Sequence, residues 1–324
     1  MKEISPGCLR LDTDYLQVCG LPLALHAMVD GDQLVLLDSG ISSTPESFVR
    51  SELLAAGLRI EDVSLVVNSH AHPDHRGGNG AIRAVASGAR FAAPAQELGW
   101  FEDDGVMLRE LWGANPEAYA PTAAEEGEIR SQMGDLVRID QPLRDGDKLT
   151  LPSGELTVVT TSGHSPGHIA IHDPQRRLLF TFDDVQGAGT PFPDGHGRLA
   201  PLYHDVERYL GGLRRLRDLE FDLLLPSHGE PLDHDEGIAR LDESIDFVSR
   251  VDDFVAEYLN TGRAVGIREL AQAIGTQVGD FGGINLQTVS LARAHLDHAV
   301  RRGGATPFWR RTPPSPHHQP GGLS

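Results

Sequence analysis

Cysteine is nearly missing from this chain of 324 residues: there are two, Cys8 and Cys19, eleven positions apart and without the C-x-x-C spacing of zinc or redox sites. That excludes a disulfide framework and a zinc ribbon, and both are expected to be reduced structural thiols. Long apolar runs are also missing. No stretch approaches the roughly 20 apolar residues that span a bilayer, and the opening MKEISPGCLRLDTDY has no apolar run to serve as a secretory signal, so a cytoplasmic chain with no membrane partner is expected. Basic charge is scarce, with 28 Lys plus Arg against 47 Asp plus Glu and a net charge of −19. Such a field repels phosphate backbones and makes nucleic acid a disfavoured partner. The basic trio Arg214, Arg215 and Arg217 reads as a solvated helix face. No G-x-x-x-x-G-K-[ST] occurs, so the chain has no nucleotide P-loop. What remains is an ordinary globular composition, 40% hydrophobic and 23% charged, with enough apolar side chains for a core.

Strand signals come first: Leu9 to Val18, then Leu23 to Val29 with Leu23, Leu25, Ala27 and Val29 on one face, then the fully apolar Leu34 to Leu37, the last two joined by an Asp30-Gly31-Asp32 turn. A helix is predicted over Pro45 to Ala56, with Thr44 as N-cap, Pro45 at its first position and Gly57 beyond its end. Leu65 to Asn68 is a buried strand. Residues 95–135 break the strand rhythm and hold Trp100, Phe101, Trp112 and Tyr119 among many acids. This stretch is an insertion, with Met107, Leu108, Leu111 and Trp112 on one helical face that packs on the parent domain or forms a substrate lid. Strands resume at Leu156 to Thr160, Ile169 to His172 and Leu178 to Phe182. A helix over Asp205 to Leu216, with Val206, Leu210 and Leu213 inward, leads to a strand at Phe221 to Leu225. Beyond Pro231 the pattern is helical: one long helix from about Ile238 closing at Gly262, two shorter ones at about Ile267 to Ile274 and Leu286 to Arg301, and a short strand at Thr306 to Trp309. The Pro/Gly-rich tail with His317 and His318 is expected to be disordered and to carry no site.

The segment NSHAHPDHRGGN, residues 68–79, crowds His70, His72, Asp74 and His75 into six positions directly after the apolar run 65–67. Three satisfied core histidines there would need three separate partners, so a shared metal ion is the simpler reading. Imidazole and carboxylate suit zinc and its first-row relatives, which need further His or Asp from other strand ends. His164, Asp183 and His228 stand just past or at the ends of the predicted strands at 156–160, 178–182 and 221–225, where open sheets collect active-site groups. His26, His172, His234, His295 and His298 read as ordinary core or surface histidines, His168 as a supporting residue rather than a ligand, and His196 and His204 as structural or solvated.

With these residues in place, the sequence resembles the metallo-β-lactamase fold superfamily. HAHPDH matches its H-x-H-x-D-H signature, SGHSPGH its third histidine, LFTFDD its bridging aspartate and PSHG its last histidine. The intervals, 89 residues from His75 to His164, 19 to Asp183 and 45 to His228, also suit it. The resemblance covers residues 9 to 231 and implies a four-layer αββα sandwich with a two-metal site between the sheets. It implies one ion on His70, His72 and His164, a second on Asp74, His75 and His228, and Asp183 bridging; zinc is the first choice, with iron or manganese as alternatives. Asp38, ending the strand LVLLD, sits where the family has an acid behind its ligands. Phe182 stands where the family usually has Gly, which leaves Asp184 as the alternative to Asp183, and Ser162 stands where it usually has Pro. The expected organisation is a catalytic domain at 1–231, a helical, winged-helix-like C-terminal domain at 232–312 that resembles the lactamase-like or glyoxalase II-like branch, and a disordered tail at 313–324.

Two metals that share a water lower its pKa and hold it for attack on a carbonyl or phosphoryl centre, while Asp74 can return the proton to the leaving group. The expected enzyme is therefore a binuclear hydrolase of a small ester, thioester or lactone, with Asp74 and Asp183 as catalytic groups and self-association left open. A phosphodiesterase or ribonuclease of the lactamase-like branch and a mononuclear iron oxygenase on the same scaffold are the alternatives. A sensor or scaffold with a decayed site is the non-catalytic one. The acidic charge opposes the nuclease, and the filled ligand set opposes the oxygenase and the decayed site.

Overall fold

The computed structural model describes residues 1–13, 20–260 and 264–303. Cys19, the second half of the first predicted strand, the helix end at Gly262, the strand at 306–309 and the tail at 313–324 lie outside the described residues. Seven strands form one sheet in chain order: β1 (Lys2–Ser5), β2 (Cys8–Asp12), β3 (Ala24–Asp30), β4 (Gln33–Leu37), β5 (Val63–Val67), β6 (Arg90–Pro94) and β7 (Gln141–Leu143). The second sheet contains β8 (Lys148–Leu151), β9 (Gly154–Thr160), β10 (Ile169–Asp173) and β11 (Leu178–Phe182). After a small hairpin of β12 (Thr190–Pro191) and β13 (Arg198–Leu199), it is completed by β14 (Leu223–Pro226) and β15 (Leu232–Asp233), in the order β15-β14-β11-β10-β9-β8.

The continuous apolar reading of β4 follows from burial on both faces. Val35 and Leu37 point between the sheets, where they join Leu156, Val158, Ile171 and Phe180. Leu34 and Leu36 point outward to Val49, Leu53 and Ile82, which belong to the helical segments Pro45–Val49, Arg50–Ala55 and Asn79–Val85. On the far side, Val159, Leu179 and Leu224 pack under Leu213, Val248 and Leu291, from helices Val206–Arg217, His234–Leu259 and Leu286–Arg301. The result is the expected αββα sandwich. Each fully buried aliphatic side chain in these layers contributes about 1.5–3 kcal/mol.

Local details follow sequence chemistry, with corrections. The turn after β3 closes with Asp30 opposite Gln33 and Gly31 at φ +61°. Thr44 does not cap by its side chain; its hydroxyl accepts from the Ile41 N–H instead. Gly57 past the helix end is left-handed, φ +74°. Cys8 is buried, and burial pushes its thiol up to about 12. No helix among the described residues is long and apolar enough to cross a membrane. Nor does any strand follow Asp233 among them, so the wing of a winged helix is not found there. The C-terminal helices instead share one apolar cluster with the second sheet.

His26 departs from the hydrogen-bonded core reading, since it is buried and neither ring nitrogen has a hydrogen-bond partner. Burial first, and the nearby Arg10 guanidinium second, hold its pKa down to about 3. In the unfolded chain a histidine titrates near about 6.5. Below that value the unfolded state takes a proton the native state refuses, so stability falls as the pH drops from about 6.5 toward about 3. The loss between about pH 7 and pH 5 is about 2 kcal/mol. His26→Leu should remove most of this slope in urea unfolding at the two pH values; an unchanged slope would contradict it.

Candidate metal centre

The motif at 70–75 is placed by a change of backbone state. β5 runs in parallel register between β4 and β6, and Asn68 extends the ladder by donating its N–H to Ala92 O at 2.9 Å. His72 remains extended (φ −62°, ψ 151°), and Pro73 then starts the short helix Pro73–Arg76. His70 and His72 flank Ala71 in bent backbone beyond β5, and the helical turn that follows brings Asp74 and His75 toward the same space. The Asn68 amide fixes that turn, donating to His75 O at 2.9 Å.

All seven expected ligands converge, in two groups: His70, His72 and His164, and Asp74, His75, Asp183 and His228, each with its donor atoms within 4.8 Å of one another. His72 Nδ1 and His164 Nε2 are 3.1 Å apart. Asp183 Oδ2 lies 3.3 Å from His75 Nε2, 3.6 Å from His164 Nε2 and 3.5 Å from His228 Nε2. Asp74 Oδ2 lies 3.6 Å from His228 Nε2. Asp183 thus faces both groups.

The donor atoms fit divalent ions. His70 Nε2, His75 Nε2 and Asp183 Oδ1 are buried without a hydrogen-bond partner, each of which costs about 1–3 kcal/mol unless something repays it. Burial, reinforced by the neighbouring imidazoles, holds His70 well below its usual pKa. Burial does the same to His164 against the pull of Asp183. Neutral imidazole is the state a metal requires. Burial would raise Asp183, but His75 and His228 outweigh it and hold the carboxyl well below its usual range. Conversely, burial would lower His75, and Asp183, Asp74 and Asp38 together raise it well above the usual value. That excess of negative charge is what a cation would neutralise.

A supporting layer fixes the imidazoles. Asp38 accepts from Ser69 N at 2.7 Å, Ser69 Oγ at 2.8 Å and His75 Nδ1 at 2.8 Å, as expected for the acid behind the ligands, and leaves His75 Nε2 pointing inward. Its φ of +62° is unusual for a residue with a side chain, and these three bonds hold it there. His228 Nδ1 sits 2.8 Å from Pro22 O. Asp184 belongs to neither group: it accepts from His168 Nδ1 at 2.7 Å and from the His164 N–H at 3.1 Å. His168 accordingly stands behind the ligands. Phe182 adopts φ +48°, the left-handed conformation glycine takes readily, at a shift in the β11–β14 register; its ring is buried between the sheets beside Phe180. Ser162 is also left-handed, φ +49°.

Above the two groups lies a cavity of about 430 Å3, walled by Trp112, Ile129, Leu202 and Leu286, with Glu125 and Glu128 also lining it. Leu111 and Trp112 line it while packing with Met107 and Leu108 in a buried cluster, so the insertion face both packs and covers the site. His196 and His204 do not line the cavity. Several contributors escaped the sequence reading: Glu97 and Arg76, and the C-terminal residues Asn285 to Gln287 in the cavity wall. Arg76 donates to Ala71 O at 3.1 Å, and its place directly after HAHPDH was the one available signal.

A family model described as the metallo-beta-lactamase superfamily matches residues 26–228. The chain belongs to that superfamily. Among curated relatives, the human acyl-coenzyme A thioesterase MBLAC2 is 28% identical over 217 residues, 61% of this chain and 69% of the relative. Hydroxyacylglutathione hydrolase of Fuscovulum blasticum is 29% identical over 141 residues, 44% of this chain and 40% of the relative. A metallo-beta-lactamase family protein of Thermus thermophilus shares the fold with a TM-score of 0.75 at 20% identity, covering 93% of this chain and 95% of its own. A beta-lactamase domain protein from Burkholderia ambifaria gives a TM-score of 0.64 at 20% identity, covering 93% and 89%. With this membership and the convergent His and Asp groups, the chain is a metal-dependent hydrolase in class.

Proposed function

We propose that the chain is a cytoplasmic binuclear hydrolase, with zinc as the first-choice ion, acting on a small ester, thioester or lactone. The observation that carries the reading is Asp183, whose Oδ2 reaches imidazoles of both ligand groups. His70, His72 and His164 would hold one ion and Asp74, His75 and His228 the other, with Asp183 between them. Two ions there would supply an activated water and a Lewis acid for the carbonyl oxygen. Asp74 would take up the proton released by that water and return it to the leaving group. Trp112, Ile129 and Leu202 exclude water from the acyl group, in a cavity within the usual range of roughly 300–1,000 Å3 for small-molecule sites. The thioesterase and hydroxyacylglutathione hydrolase relatives support the carbonyl bond class, and the acidic charge opposes a nuclease.

Metal analysis of the purified chain combined with a panel of esters, thioesters, lactones and phosphodiesters tests this. Close to two divalent ions per chain and turnover of a carboxylic substrate are expected; cleavage confined to RNA or phosphodiesters would replace the reading with the nuclease. In the same panel, Trp112→Ala should raise KM by about tenfold, by different factors for different acyl groups, with kcat less affected, because a pocket wall acts on substrate affinity. A uniform loss of kcat at normal metal content would remove Trp112 from the pocket's role.

A further inference from the structure

Glu97 ends the short helix Ala95–Glu97 that follows β6, and its side chain is 1% exposed. A buried carboxylate needs several donors to persist, and those it finds are informative. Oε2 accepts the Ala71 N–H at 2.8 Å, and Oε1 accepts the Gly167 N–H at 2.7 Å and the Ser165 hydroxyl. Ala71 stands between His70 and His72, Ser165 directly follows His164, and Gly167 directly precedes His168. One carboxylate therefore ties the two loops that deliver the three imidazoles of the first group. Gly167 allows the approach, since a Cβ there would meet Glu97 Cγ at 2.9 Å.

We propose that Glu97 is a positioning residue for the first metal ion, a clamp that sets His72 against His164 by holding both loop backbones on one carboxylate. The proposal rests on the binuclear reading above. Both carboxylate oxygens are needed, because the donors come from opposite loops. Glutamine has nearly the same shape but a single acceptor oxygen, so its NH2 group must face either the Ala71 N–H or the Gly167 N–H and release that loop. Charge-assisted bonds of this kind are the stronger class of hydrogen bond, and loss of a partner behind metal ligands typically weakens metal binding about 10–100-fold.

The test is Glu97→Gln, read by cobalt(II) titration of the metal-stripped chain with a competing chelator, together with the visible ligand-field spectrum and the melting temperature of the stripped chain. A loss of about 10–100-fold in the affinity of one of the two cobalt ions is expected, with an altered spectrum for that ion and a much smaller effect on the other. A variant that melts lower but binds both ions as the parent does, with the parent spectrum, would show a purely structural role and overturn the proposal. Should Glu97→Gln fail to fold, Gly167→Ala leaves the carboxylate in place but crowds it, and should give a smaller loss confined to the same ion; unchanged affinity for both ions there would overturn the proposal equally. If the parent chain itself takes up no cobalt, the binuclear reading fails first and the clamp with it, whereas two bound ions with no selective loss in the variants would sink the clamp alone.

Discussion

Replacing Asp183 by Ala is expected to reduce turnover of every substrate by about three orders of magnitude or more, and Asp74→Ala to act in the same uniform way. The reason is geometric. Among the described residues Asp183 Oδ2 is the one carboxylate oxygen within 3.6 Å of imidazoles from both groups, so its removal would leave the proposed pair of ions without the anion between them. The expected loss corresponds to about 4 kcal/mol of transition-state stabilisation, in keeping with the several kcal/mol that metal catalysis contributes. Asp74 lies against the second group, 3.6 Å from His228 Nε2 and 3.7 Å from His75 Nε2. Steady-state kinetics on the whole substrate panel, with metal content measured on the same samples, decides the matter. Retention of more than about a tenth of the parent kcat by Asp183→Ala at normal metal content would place the reacting centre elsewhere. Asp184→Ala is the informative neighbour: its carboxylate holds His168 and the His164 backbone, so it should weaken metal retention before it alters chemistry.

The site was legible in the sequence because its chemistry is written in residue types that are costly to bury, and its spacing reflects strand ends. The crowding at 70–75 pointed to the candidate centre, and each remaining candidate ligand follows an apolar run that is a strand in the fold. The sandwich was legible for the same reason: β4, β5, β10 and β11 carry apolar runs buried on both faces. β6, with the sequence RFAAP, and β7, with QPL, were not found, since they are short and carry Ala or Pro where strand signals require branched or aromatic side chains. The supporting residues were harder to see. Glu97 is one acid among many in its stretch, and only the fold shows that its donors belong to two loops 26 and 70 positions away. The wall contributed by Asn285 to Gln287 was invisible in principle, because nothing local in a capped helix start records which cavity it meets. Thr44 was misread through the opposite error, a good capping residue whose hydroxyl has a nearer donor in the preceding turn.

The two-group arrangement also makes a selective prediction about metal loss. His164→Ala and His72→Ala should each cost the first ion about 100- to 1,000-fold in affinity, since a four-ligand site worth about 10–16 kcal/mol divides into about 3–4 kcal/mol per ligand. The second ion should be retained more strongly, because Asp74, His75 and His228 are untouched and His75 and His228 keep their anchors on Asp38 and the Pro22 carbonyl. The separation is incomplete by construction. Asp183 Oδ2 lies 3.6 Å from His164 Nε2, so emptying the first group frees one side of the shared carboxylate, and the second ion should bind about threefold to tenfold more weakly, a coupling of roughly 1 kcal/mol. His75→Ala should invert the pattern, because its imidazole belongs to the second group alone. Equilibrium dialysis at several free zinc concentrations separates the two affinities in each variant. Full metal content and full activity in both His72→Ala and His164→Ala would mean that the first group is not a metal site, and equal losses of both ions in every variant would mean that the seven side chains form one pooled site with no division between the histidine triplet and the mixed quartet.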